Sequence, residues 1–183
     1  MRCWTARQPS YAEPSTALIE MAGEFELIDR YFTHSGAQRS DVILGVGDDG
    51  AIVNVPEGHE LVVVADTVVC GVHFPNDAEP ADVAYRALAV NLSDLAAMGA
   101  QPAWATLALT LPTADEMWVE TFAGAFSALA RKFEVALIGG DTTRGPLSVT
   151  VQAMGLVPRG SALRRSGARP GCRPEATHSR IPV

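Results

Sequence analysis

Hydrophobic and polar positions alternate in a regular order between about residue 22 and residue 158. Phe25, Ile28 and Phe32 recur at spacings of three and four, which predicts a short helix over Gly23–His34. Two short apolar runs follow, Val42–Val46 and Ala51–Val55, which read as strands on either side of Gly47-Asp48-Asp49-Gly50. Pro56-Glu57-Gly58 reads as a turn, and the continuous apolar run Leu61–Ala65 suits a buried strand. Pro80 fits the first turn of a helix that runs to about Met98, where Gly99 supplies a stop.

Ala103–Leu111 reads as the next strand. Thr113-Ala114-Asp115-Glu116 has the form of a capping box, with Thr113 at the cap and Glu116 reaching back. The helix behind it places Trp118, Phe122, Phe126, Leu129 and Phe133 on one stripe, the pattern of a core-facing surface. Val135–Ile138 and Leu147–Val157 read as the last strands, with Gly139–Gly145 between them. Strands and helices alternate, but hairpin-length connections are mixed in. The expected fold class is therefore α+β, a mixed sheet packed by helices, and not a doubly wound parallel sheet.

The two ends depart from this pattern. Residues 1–21 show neither a signal-peptide apolar block nor helical periodicity and are expected to form an irregular leader, with Met1 and Met21 both open as starts. From Arg159 onward the chain has six Arg and one acid within a protein of net charge -7. Residues 159–183 are therefore expected to be a basic, irregular tail, distinct from an acidic body at 22–158. The acidic balance disfavours general nucleic-acid binding, which rests on Lys and Arg neutralising phosphate. No run of about 18 apolar residues is present to span a membrane. Three cysteines, Cys3, Cys70 and Cys172, are scattered without metal-ligand spacing, so a reducing cytoplasm is the expected compartment.

The acids that stand beside glycine or at the ends of apolar runs carry the candidate chemistry. They are Asp48-Asp49 in GVGDDG, Asp66 after LVVVA, Asp94 in NLSDLAAMGA and Asp141 in IGGDTTRG. Each alone fits a cap or turn. Four together, as hard oxygen donors without clustered His or Cys, suit Mg²⁺, which takes one or two carboxylates plus substrate phosphates. Glycines beside them allow phosphate oxygens close to the backbone. Phosphoryl chemistry is the resulting expectation. Gly45–Gly50 matches G-x-G-x-x-G, but the residues that follow, AIVNV, are strand-like. The dinucleotide fingerprint requires a helix there, so that reading is rejected. Lys132 has no glycine frame, so there is no Walker A loop. His73 in CGVHFP reads, on its own, as a loop histidine, and Cys70 as a small buried hydrophobe.

The motifs together resemble a known family. GEFELI at 23–28, GVGDDGA at 45–51, ADTVVCGVHF at 65–74, ALAVNLSDLAAMGAQPAW at 87–104, LIGGDTTRG at 137–145 and RSGARPG at 165–171 are similar to thiamine-monophosphate kinase. The resemblance implies a PurM N-terminal-like domain and transfer of the ATP γ-phosphoryl group to thiamine monophosphate, giving thiamine diphosphate. It implies several Mg²⁺ ions, with Asp49, Asp66, Asp94 and Asp141 as metal ligands. It implies His73 as a substrate contact, and Gly140, Asp141 and Arg165 as ATP contacts. It also implies a homodimer formed through this domain.

Two departures qualify it. Hydroxyl residues common before the third-motif Asp are replaced by Val64 and Ala65, so weaker metal binding is expected. After Gly171 the text leaves the family pattern, in the manner of a reading-frame shift, where the family continues into a second domain. A chain without that domain is expected to be impaired. The alternatives are a non-catalytic, dimerising metal- and nucleotide-binding fragment, or another ATP-dependent synthetase of the same superfamily.

Overall fold

The computed structural model describes residues 30–33, 35–113 and 115–167. The irregular leader, most of the first helix and the segment after Gly167 lie outside the described residues; of that helix, Arg30 and Tyr31 are helical. In chain order the elements are β1 (Val42–Leu44), β2 (Ile52–Val53), β3 (His59–Val69), α1 (Pro80–Ala97), β4 (Gln101–Leu111), α2 (Glu116–Lys132), β5 (Ala136–Arg144) and β6 (Ser148–Pro158), then a single 3-10 turn at Arg165–Gly167. The main sheet has the order β3-β6-β4-β5, and β1 and β2 form a separate two-stranded hairpin. β6 runs antiparallel to both β3 and β4, whereas β4 and β5 are parallel. The sheet is therefore mixed, as the alternation of hairpins and crossovers predicts.

One sheet face is covered by both helices. Ala105, Leu107, Leu109 and Leu111 of β4, with Val149 and Val151 of β6, pack against Leu88 and Leu92 of α1 and Phe122 and Phe126 of α2. Phe122 and Phe126 are fully buried, their rings stacked at 6.2 Å, and Trp118 stacks on Phe122 at 5.2 Å. The aromatic stripe of α2 is thus the core-facing surface that its period of three and four predicts. On the opposite sheet face a smaller cluster of Ala103, Trp104, Ala136 and Ile138 is capped by Val42 and Val53 of the hairpin.

Element boundaries show where local signals mislead. Pro80 begins α1 and Gly99, at φ +70°, follows its end, both as predicted. The α2 cap is Asp115, whose carboxylate accepts from the Trp118 N–H at 3.2 Å, so Thr113 is not the cap residue. β3 does not stop at Ala65 but runs on to Val69, which makes Asp66 a mid-strand residue. β5 does not stop at Ile138 either. Gly139-Gly140-Asp141-Thr142-Thr143-Arg144 continues it in register with Thr106–Leu111 of β4. Gly140 permits this, because a Cβ there would run into the Leu107 carbonyl oxygen. The basic segment is ordered at its start. The Arg159 N–H donates to Gly58 O (2.8 Å), Gly160 N–H to Glu60 Oε2 (3.1 Å) and Leu163 N–H to Met98 O (2.9 Å).

Candidate functional site

The loop between β1 and β2 holds Asp48 and Asp49, and β5 holds Asp141. These segments are almost a hundred residues apart in sequence, yet they line one cleft of about 400 Å³ together with Val46, Gly47, Gly139, Gly140 and Thr142. Phe32, Leu107 and Leu137 supply apolar wall in the same cleft. All three carboxylates are exposed to solvent. The Asp48 side chain is turned back on its own loop, accepting from the Asp49 N–H at 2.8 Å. Hard oxygen donors on one side, glycine backbone without side chains, and an apolar wall suit a divalent cation together with an anionic ligand that has a flat organic part.

Asp66 and Asp94 do not line this cleft. Asp66 pairs with Val151, which lies in the helix-facing core, so strand alternation puts the Asp66 side chain on the α1 side of the sheet, half-buried. Asp94 is exposed near the C-terminal end of α1, one turn beyond the fully buried Asn91. Asn91 Nδ2 donates to Ala87 O within the helix, and its Oδ1 has no hydrogen-bond partner. Among the described residues, no group of three or more His, Cys, Asp or Glu stands close enough to hold a metal by itself.

His73 sits in the exposed turn after β3. Its Nδ1 accepts from the Val69 N–H at 3.0 Å, which ties the ring to the end of β3. Arg86 holds the same turn by donating to His73 O at 2.5 Å. Cys70, in that turn, is half-buried and directs its Sγ to Asn76 Oδ1 at 3.2 Å, so it is not the buried hydrophobe that its neighbours predict. Arg165 is exposed in the 3-10 turn, away from the cleft lining. Of the sequence candidates, Asp49, Gly140 and Asp141 are therefore brought together, while Asp66, Asp94, His73 and Arg165 stand outside that group.

Sequence reasoning missed the apolar side of the cleft. Leu107 and Leu137 read as plain core, and only the pairing of Leu107 with Gly140 and the continuation of Leu137's strand through Gly140 connect them to the site. It also missed a polar clasp beneath the hairpin. Arg39 pairs with Asp41 in a two-pronged ion pair (2.9 and 2.6 Å), and the buried Trp104 indole donates to Asp41 Oδ1 at 3.1 Å. The Arg39 guanidinium, helped by the Trp104 N–H, holds the Asp41 carboxyl below its usual range against the opposing effect of burial.

A mixed sheet with helices on one face, and acid-glycine segments meeting at its β5 side, defines a class. Residues 47–157 match the family model described as AIR synthase related protein, N-terminal domain, and the chain belongs to that family. Within it, the chain is 59% identical over 149 residues to thiamine-monophosphate kinase of Escherichia coli (strain K12), covering 81% of this chain and 46% of that protein. It is 38% identical over 151 residues to thiamine-monophosphate kinase of Bacillus subtilis (strain 168), covering 80% and 46%. Among solved structures, thiamine-monophosphate kinase from Stenotrophomonas maltophilia K279a superposes with a TM-score of 0.67 at 53% identity, covering 81% of this chain and 45% of that one. A structure of AaThiL complexed with AMPPCP and TMP superposes at 0.58 with 27% identity, covering 84% and 48%. The chain spans less than half the length of the relatives it matches.

Proposed function

We propose that this chain is the metal- and nucleotide-binding part of a cytoplasmic kinase that converts thiamine monophosphate to thiamine diphosphate at the expense of ATP. The observation that carries this reading is the meeting of Asp48, Asp49 and Asp141 with Gly139 and Gly140 in one cleft. The identity to thiamine-monophosphate kinases and the likeness to AaThiL complexed with AMPPCP and TMP support the substrate pair.

In the proposed reaction the β–γ bridging P–O bond of ATP breaks, a new P–O bond forms to a phosphate oxygen of thiamine monophosphate, and ADP leaves. Donor and acceptor are both anionic, so catalysis is mainly positioning and charge neutralisation. Mg²⁺, when bound, would supply that neutralisation. The donor set fits it: Asp49 and Asp141 offer hard oxygens, and one or two carboxylates suffice when phosphates complete the shell. Gly139, where a side chain would meet only open space, leaves room for phosphate against the backbone, and Phe32, Val46, Leu107 and Leu137 exclude water beside it. Asp66, Asp94, His73 and Arg165 keep the ligand and contact roles that the resemblance implies, as members of a surface wider than the cleft.

A second reading rests on a different observation. Ile43, Ile52, Leu61 and Val63 are exposed, at 60, 54, 41 and 49% of their surface. Such apolar exposure supports a homodimer through the hairpin and β3, and a binding fragment without turnover. One assay separates the two. Incubation of the purified chain with ATP, Mg²⁺ and thiamine monophosphate, read by chromatography of thiamine diphosphate, is expected to give weak or no turnover alone. Robust turnover would reject the fragment reading, and a different phosphorylated product would reject the kinase reading.

A further inference from the structure

The hairpin that carries Asp48 and Asp49 is poorly anchored. β1 and β2 pair only with each other, over three and two residues. Among the described residues, no backbone ladder joins them to the main sheet. Val42 and Val53 rest on the Trp104 cluster, while Ile43 and Ile52 on the other side of the hairpin are exposed. The polar attachment is Asp41, immediately before β1. Its carboxylate takes both prongs of Arg39 and the Trp104 indole N–H, and its carbonyl accepts from the Asn54 N–H just after β2 (2.8 Å). One residue thus ties both hairpin strands to a fully buried indole of β4.

The other end of the clasp is equally fixed. Arg39 also donates to Glu134 O at 3.0 Å and lies over the Trp104 ring at 5.8 Å. Glu134 holds a left-handed backbone at φ 57°, unusual for a non-glycine residue, just past the end of α2 and two residues before β5 begins. Arg39 and Asp41 therefore join the open end of the hairpin that carries the Asp48-Asp49 loop to the start of the strand that carries Asp141.

We propose that Asp41 is a positioning residue for the cleft: through Arg39 and Trp104 it sets the placement of the Asp48-Asp49 loop relative to Asp141. This rests on the metal–nucleotide reading of the cleft. Asp41 is not among the residues that line the cleft, so its effect is on preorganisation of the carboxylates, and its substitution should weaken ligand binding without removing a ligand.

The test compares Asp41→Asn with Arg39→Lys, a milder change that keeps the charge but loses the fork. Val62→Ala, in the separate cluster around Leu95, is the control for general loss of stability. Each protein is titrated with Mn²⁺ in the presence of ATP, and its amide hydrogen exchange is followed by mass spectrometry. Asp41→Asn is expected to lose protection over residues 42–55 and to bind Mn²⁺–ATP about 10-fold more weakly, with Arg39→Lys intermediate. Val62→Ala should lower the melting temperature and leave that affinity unchanged. Affinity in Asp41→Asn no lower than in the control, or unchanged exchange over 42–55, would overturn the positioning role while leaving the cleft reading intact. Absence of Mn²⁺–ATP binding by the unsubstituted chain would reject the cleft reading and the positioning role with it.

Discussion

Towards the helices the main sheet presents Leu107, Leu109, Val149 and Val151, all buried; on its other face the same two strands present Thr106, Ala108, Thr150 and Gln152, none of them buried. The first face has two amphipathic helices to pack on. The second has a small hairpin at one end, and the cleft with three carboxylates lies at the β5 edge, where Leu107 and Leu137 of the helix-facing core also line it. The contrast separates stability from chemistry. Burial of Phe122, Phe126 and their partners holds the domain together, and the cleft at the β5 edge carries exposed carboxylates that this burial does not use.

Substitutions on the two sides should therefore have different signatures. The largest stability loss is expected from Phe122→Ala, at about 3–5 kcal/mol, read by urea denaturation. Gly140→Ala comes next. Its Cβ has no room against Leu107 O, so a loss of about 1–3 kcal/mol or more is expected, together with loss of ligand binding as β5 separates from β4. That variant breaks the division between faces, because one backbone contact serves both.

Acid should act through the clasp. The Asp41 carboxyl is held below its ordinary value, so its contribution is fully present above about pH 4 and is lost as pH falls through the lowered value. The stability gap between the unsubstituted chain and Asp41→Asn is thus expected to close on acidification below that point and to stay constant above it. The smallest effect is expected on the open face. Thr150→Val removes the Thr67 Oγ1–Thr150 Oγ1 hydrogen bond of 2.8 Å and should cost about 0.2–1 kcal/mol, with no change in ligand binding.

The same division explains what could be read from the sequence. The helix-facing side follows from local period: the α2 stripe, the Pro80 start and the Gly99 stop all sit where spacing puts them. The cleft's members were visible as acid-glycine segments, because a carboxylate beside glycine is a costly and unusual choice in an apolar context. Their mutual arrangement was not visible. Gly139-Gly140 looks like a loop locally, and only the parallel partner β4 makes it strand. Asp66 looks like a strand end, yet pairing with Val151 carries β3 past it. Asp41 gives no signal at all, since its meaning depends on Trp104, sixty-three residues later in the chain.

Isothermal titration of the chain with ATP in the presence of Mg²⁺, repeated for Asp141→Asn, tests the cleft most directly. The change is isosteric on an exposed side chain and should leave the melting temperature in place. Binding by the unsubstituted chain, weakened about 10-fold or more in Asp141→Asn, is the predicted result. Equal affinity in the two proteins would contradict the assignment of this cleft as the metal–nucleotide site.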